Sequence, residues 1–212
     1  MLTTVFRPRV LALIGAMAFA VSSVHAASCT GISVGTASTT DVTFAGMASD
    51  QCVVSNVNPQ QGPNGNTSGF ASAFGPGAWS LLGKVTSGTG SALVNGVTFA
   101  WTFAQQSGTT GTWSLTTDKN ATFDLVFAMH AANRSGAFFF DDLTTVANQV
   151  NANTWTINWL NGGGQIPDFS NLTLFEREVT QLPPAIPEPA TYALMLGSLA
   201  VMGAMARRRK ML

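Results

Sequence analysis

An all-β fold, an antiparallel β-sandwich with jelly-roll-like connections, is what the middle of this 212-residue chain predicts. Three observations carry that expectation. Apolar residues recur at every second position, as on a strand with one face buried. Clusters rich in glycine, asparagine and proline punctuate these runs, as tight connections require. No segment between the termini holds apolar residues at the 3.6-residue spacing of an amphipathic helix. About nine short strands joined in this way suit two packed sheets.

The strands follow in order. Ile32 to Val34 and Val42 to Phe44 are short apolar runs at the start. The stretch from Asn56 to Gly77 is poor in large apolar residues and reads as a long surface loop. Ser80 to Val85 comes next, then the clearest alternation: Val97, Phe99, Trp101 and Phe103 interleave with Thr98, Ala100 and Thr102. After Thr112 to Leu115, the residues Phe123, Leu125, Phe127 and Met129 repeat the pattern with Thr122 and Asp124 on the other face. Ala137 to Phe140, then Trp155, Ile157 and Trp159, and finally Leu172 to Glu176 complete the set. Aromatic and β-branched residues occupy the alternating positions, which suits a half-buried pleated surface. Turns fall at Gly62-Pro63-Asn64-Gly65, Gly88-Thr89-Gly90, Asp118-Lys119-Asn120 and Asn161-Gly162-Gly163-Gly164.

Both ends are targeting segments. Arg7 and Arg9 precede a mostly apolar run, Val10 to Val24, and Val24-His25-Ala26 supplies small residues before a cut; residues 1–26 read as a secretory signal peptide. Residues 27–180 are then the ectodomain and 181–186, with Pro183-Pro184, a stiff Pro-rich linker. Beyond it stand Pro187-Glu188-Pro189, an apolar stretch over 190–206 and the basic cluster Arg207-Arg208-Arg209-Lys210. Two prolines cannot continue a helix, so the chain around Glu188 should be extended and accessible. About 17 apolar residues at roughly 1.5 Å each make some 25 Å of helix, near the lower limit for a bilayer span. Cations beside such a span hold that end in the cytoplasm.

Those three parts, in that order over 187–210, resemble the PEP-CTERM sorting signal of exported proteins in Gram-negative bacteria. The resemblance implies export by the general machinery, transient anchoring in the inner membrane with a periplasmic ectodomain, and recognition by exosortase, an integral-membrane cysteine protease that cuts near the Pro-Glu-Pro. The destination it implies is the cell surface or the extracellular matrix. Within the ectodomain, Phe138-Phe139-Phe140-Asp141-Asp142-Leu143, Trp155-Thr156-Ile157 and Leu172-Thr173-Leu174-Phe175-Glu176-Arg177 are similar to the closing strands of many exosortase-targeted ectodomains. That likeness speaks to architecture rather than chemistry.

The formal net charge of zero hides an asymmetry. The ectodomain carries four cations (Lys84, Lys119, Arg134, Arg177) against nine anions, hence −5, while the termini hold the compensating positive charge. A sparse acidic surface leaves no electrostatic footprint for nucleic acid. The only cysteines, Cys29 and Cys52, both lie in the exported part, where an oxidising compartment favours pairing them. Intermolecular pairing is the rival reading. Two thiols without a nearby histidine fall short of a metal site.

Candidate chemistry is thin. His130, at the end of an expected strand, is the single ectodomain histidine, and no Gly-x-Ser-x-Gly turn advertises a nucleophile for it. Asp141 and Asp142 are adjacent, so on a regular strand they would face opposite ways. They could join loop carbonyls around Ca²⁺, against the plainer reading of a solvated turn. Glu176 and Glu178 could share a face, but beside Arg177 they make a weak hydrolase pair. Of the five tryptophans, alternation places Trp101, Trp155 and Trp159 in the core; Trp79 and Trp113, near turns, are the candidates for stacking on sugar rings. Ice binding would want a flat threonine array, and the threonines show no fixed repeat along the chain. The expected function is therefore that of an exported, non-enzymatic surface protein without cofactor or metal, structural or adhesive and associated with exopolysaccharide in a biofilm. A secreted carbohydrate-active enzyme or other hydrolase is the alternative.

Overall fold

The computed structural model describes residues 26–183, together with Ser198 and Met202, which lie in helical backbone. Among the described residues the chain forms twelve strands and one short 3₁₀ turn, Thr39–Asp41. The strands are β1 (Thr30–Gly31), β2 (Thr43–Phe44), β3 (Met47–Ala48), β4 (Gln51–Ser55), β5 (Ser80–Val85) and β6 (Gly88–Val94). They continue as β7 (Val97–Gln105), β8 (Thr110–Thr117), β9 (Ala121–Ala131), β10 (Arg134–Thr145), β11 (Asn151–Thr156) and β12 (Asn171–Gln181). The signal peptide, the Pro-Glu-Pro motif, the basic cluster and the rest of the expected span over 190–206 lie outside the described residues. No helix among the described residues is long and apolar enough to cross a membrane.

Two sheets result. One has the order β1-β4-β10-β9-β12-β5, the other β11-β8-β7-β6, and β2 with β3 forms a small ribbon tied to β11 through a Val42–Trp155 bridge. Every pairing is antiparallel except β1 with β4. The sheets face each other across aromatic contacts. Phe99 meets Phe123 edge-on at 4.9 Å, and Trp113 meets Phe127 at 4.7 Å. The alternation in β7 is responsible: Val97, Phe99, Trp101 and Phe103 are buried, while Ala100, Thr102 and Ala104 face solvent. Each large side chain withdrawn from water in this way contributes about 1.5–3 kcal/mol.

The connections depart from a jelly roll. β6, β7 and β8 form a meander within one sheet, whereas jelly-roll strands shuttle between sheets; the closing strand β12 inserts between β9 and β5. β6 stands where the sequence suggests only a turn at Gly88-Thr89-Gly90. It forms because Asn95 and Gly96, both at positive φ (49° and 78°), fold β6 onto β7 as a two-residue hairpin. β4 is a further strand that the sequence pattern did not announce. β1 lies two residues earlier than expected, leaving Ile32 45% exposed. β11 ends at Thr156, yet Ile157 and Trp159 remain buried beyond it.

The six-stranded sheet is covered on both faces, which corrects the half-buried reading of Phe123 to Met129. Val126 and Ala128 of β9 are as buried as the residues between them, packing with Phe139 and Phe175 against Phe70 and Phe74. Those two phenylalanines belong to the segment expected to be a bare surface loop. Its chain does connect β4 to β5 without strands, but Phe70 and Phe74 turn inward and close a second core.

Candidate functional site

Three places in this framework hold chemistry worth building up: a carboxylate cluster, the histidine, and one sheet face. The cluster forms where β9 passes between two irregularities. β10 bulges between Phe140 and Leu143, and β12 between Arg177 and Thr180. Asp142 and Glu178, in the two bulges, have positive φ of 48° and 59°. A bulge breaks strict alternation and re-aims side chains. Asp141 and Asp142 are consequently both exposed, not divided between opposite faces. Glu176 and Glu178 do not share a face either, since Glu176 is buried and Glu178 exposed.

Asp124 of β9 fastens both bulges. The Asp142 backbone N–H donates to its Oδ1 at 2.9 Å, and Arg177 Nε donates to its Oδ2 at 2.6 Å. Neither side chain of the ion pair is more than 10% exposed. The Arg177 guanidinium also donates to the Pro76 carbonyl (3.0 Å) and lies 4.3 Å above the Trp79 ring, with Phe139 at 5.2 Å. On the far side the Asp141 backbone N–H donates to Asp50 Oδ2 at 2.9 Å. Asp141 is held above the ordinary carboxylate range, first by loss of solvent and then by the charges of Asp124, Asp142 and Asp50. Glu176 is raised chiefly by burial, with a Ser80 hydrogen bond opposing. Among the described residues, no three His, Cys, Asp or Glu side chains converge on a point that would hold a metal ion.

His130 stands on β9 opposite Ser135 of β10 and Asn171 of β12. Its Nδ1 shares a 2.8 Å hydrogen bond with Ser135 Oγ, and half-burial pushes the imidazole below its usual range. Ser135 is 3% exposed, which keeps the hydroxyl from any substrate larger than water. No carboxylate accepts a hydrogen bond from the ring among the described residues. The pair reads as a cross-strand link.

The two tryptophans singled out for sugar stacking are engaged otherwise. Trp113 is 3% exposed and packs between Phe44 (5.7 Å) and Phe127 (4.7 Å); its place on β8 is an inward position, which overturns the expectation of exposure. Trp79 is half-buried, with Arg177 over its ring and Phe70 and Phe139 at its edges. Cys29 and Cys52 are joined, and the bond ties the residue preceding β1 to β4.

The third place was not legible as a site. From Val85 to Thr117 the chain has no charged residue, and none from Leu143 to Pro167, so the sheet β11-β8-β7-β6 carries no charge at all. Its solvent face is built largely of small side chains in register, with Leu93, 72% exposed, on the edge strand β6. Thr89, Thr102, Ser114 and Ala152 form one rung across the four strands, and Ser91, Ala100 and Thr116 the next. Threonines without any repeat in sequence thus become a two-dimensional array, spaced about 4.8 Å between strands and about 7 Å along them. Trp101 lies beneath this face. Gly83 and Gly90 admit its ring, since a Cβ on either would come within 2.3 Å or 2.5 Å of it. On the solvent side of the same strands, Thr89, Thr102, Ser114 and Val150 line a depression of about 510 Å³.

Residues 185–210 match the family model of the PEP-CTERM protein-sorting motif. The chain carries a PEP-CTERM sorting motif. The match covers the tail alone and leaves the β-rich domain unassigned. No curated protein and no solved structure matches the chain. Proteins with this motif are exported, held in the membrane and then processed, and exosortase is the enzyme that recognises it.

Proposed function

We propose that this is a non-enzymatic protein of the cell surface or extracellular matrix, released from the inner membrane by exosortase, with a structural or adhesive role beside exopolysaccharide. The sorting motif over 185–210 carries this reading, because it sets an address outside the cell. The Cys29–Cys52 bond accords with an oxidising compartment. Titratable side chains of the domain fit a structural role as well. Arg177 and Asp124 fasten two bulges, His130 bonds Ser135, and Asp41 caps the 3₁₀ turn through the Ser38 backbone N–H at 3.1 Å.

Mass spectrometry of the protein from its native host tests the processing. Loss of both ends is expected, with the C-terminal cut near Pro187-Glu188-Pro189 and the ectodomain recovered from the matrix fraction. An intact Arg207-Arg208-Arg209-Lys210 end, or recovery from the periplasm alone, would defeat the proposal. Replacing Pro187 and Pro189 with alanine should leave the protein in the membrane fraction.

A further inference from the structure

We infer that the outer face of the sheet β11-β8-β7-β6 is a docking surface for a neutral polysaccharide with a flat, extended chain. This deepens the proposed matrix role and rests on it.

The first support is composition. A protein surface ordinarily mixes both signs of charge at about a quarter of its positions or more. Four adjacent strands here carry none, although the same domain holds nine anions and four cations elsewhere. A charge-free face does nothing for solubility, and it is matched to a partner that is itself uncharged. The second support is chemistry. Each threonine presents a hydroxyl that both donates and accepts beside a methyl group. A pyranose chain offers the same combination, with hydroxyl edges and C–H faces. The third is the depression of about 510 Å³ in this face, lined by the hydroxyl-bearing side chains of Thr89, Ser91, Thr102, Ser114 and Thr116.

Charge also separates the occupants. The domain's net −5 opposes an acidic polysaccharide and a second copy of the chain alike, and leaves a neutral polymer unaffected. Interfaces between proteins concentrate aromatic, methionine and arginine side chains and are depleted in serine and alanine. The centre of this face has the reverse composition, with Ser91, Ala100, Ser114 and Ala152, and Leu93 is exposed only on its edge strand.

The test uses the full chain, purified in detergent, so that it does not depend on cleavage. Depletion from solution by microcrystalline cellulose and by cross-linked dextran is measured, with alginate as the acidic counterpart. Wild type should be retained by at least one neutral glucan and not by alginate. The double variant Thr89→Lys/Thr102→Lys, which sets two cations side by side on one rung, should bind at least tenfold more weakly. Thr102→Val, nearly isosteric, should lose several-fold and guards against misfolding of the lysine variant. Thr144→Lys, exposed on β10 of the other sheet, should bind as wild type. Four results would each overturn the inference: no retention of wild type by either glucan; undiminished retention of both Thr102 variants; a dimer whose mass the lysine variant abolishes; or an effect on ice growth, lost in the lysine variant, without glucan retention. If the ends are trimmed as proposed while glucan binding is absent, the docking surface fails and the sorting reading stands.

Discussion

Replacing Arg177 with methionine probes the strongest polar feature of the domain. Methionine keeps much of the aliphatic stem over Trp79 and Phe139 but removes the cation. Asp124, whose side chain is 4% exposed, would then keep a single hydrogen bond, from the Asp142 N–H, and no counter-charge. Breaking one side of a buried pair costs about 3–5 kcal/mol, because the remaining carboxylate is desolvated without compensation. Loss of the guanidinium over the Trp79 ring adds about 0.5–1 kcal/mol. Urea unfolding followed by tryptophan fluorescence at pH 7 should show a loss of about 4 kcal/mol in Arg177→Met. In Arg177→Met/Asp124→Asn, where no charge is stranded and the Asp142 N–H still has an acceptor, most of that loss should be recovered, leaving about 1–2 kcal/mol. A loss below about 1 kcal/mol, or strictly additive single variants, would show that the pair does not fasten the two bulges.

Cys29→Ala/Cys52→Ala should lower stability by roughly 3 kcal/mol, since the bond closes a loop with a sequence separation of 23. For a domain of this size that is a fall in Tm of roughly 6–12 °C, read by calorimetry, and an unchanged Tm would refute it. Glu176→Gln should stabilise the protein at neutral pH and not at low pH. Its carboxyl is raised by burial, so the folded state holds the proton longer and stability falls as pH rises through the raised value. Urea midpoints at pH 4 and pH 8 decide it; an equal effect at both would remove burial of the charge as the cause.

Which parts of this were legible in the sequence follows from the range of the interactions involved. β7 was plain because four large apolar residues alternate with small polar ones, and that pattern is set by neighbours two positions apart. β6 was missed although Asn95-Gly96 announces a hairpin, because its own residues Gly-Thr-Gly-Ser are weak strand formers that depend on β7 for their register. The second face of β9 was illegible for a different reason. Val126 and Ala128 are buried only because Phe70 and Phe74, more than fifty positions away, fold over them.

The site residues divide in the same way. The sorting motif is read by a membrane enzyme as a linear segment, so order and composition suffice to recognise it. Whether Trp79 and Trp113 meet solvent depends on what packs over them, and Arg177, Phe44 and Phe127 come from other strands. The carboxylates kept their identity but lost their expected facing, because two bulges interrupt the alternation on which that expectation rests.

By itself, then, the sequence determined the β character and the address written in the tail, and it favoured pairing of its only two cysteines, all of which depend on local pattern, composition or redox environment. Only the tertiary structure decided which strands neighbour one another, which tryptophans are buried and that scattered threonines share one uncharged plane. Those outcomes come from long-range strand pairing. Register between distant segments is fixed by how the whole core packs, and no short stretch of chain contains that information.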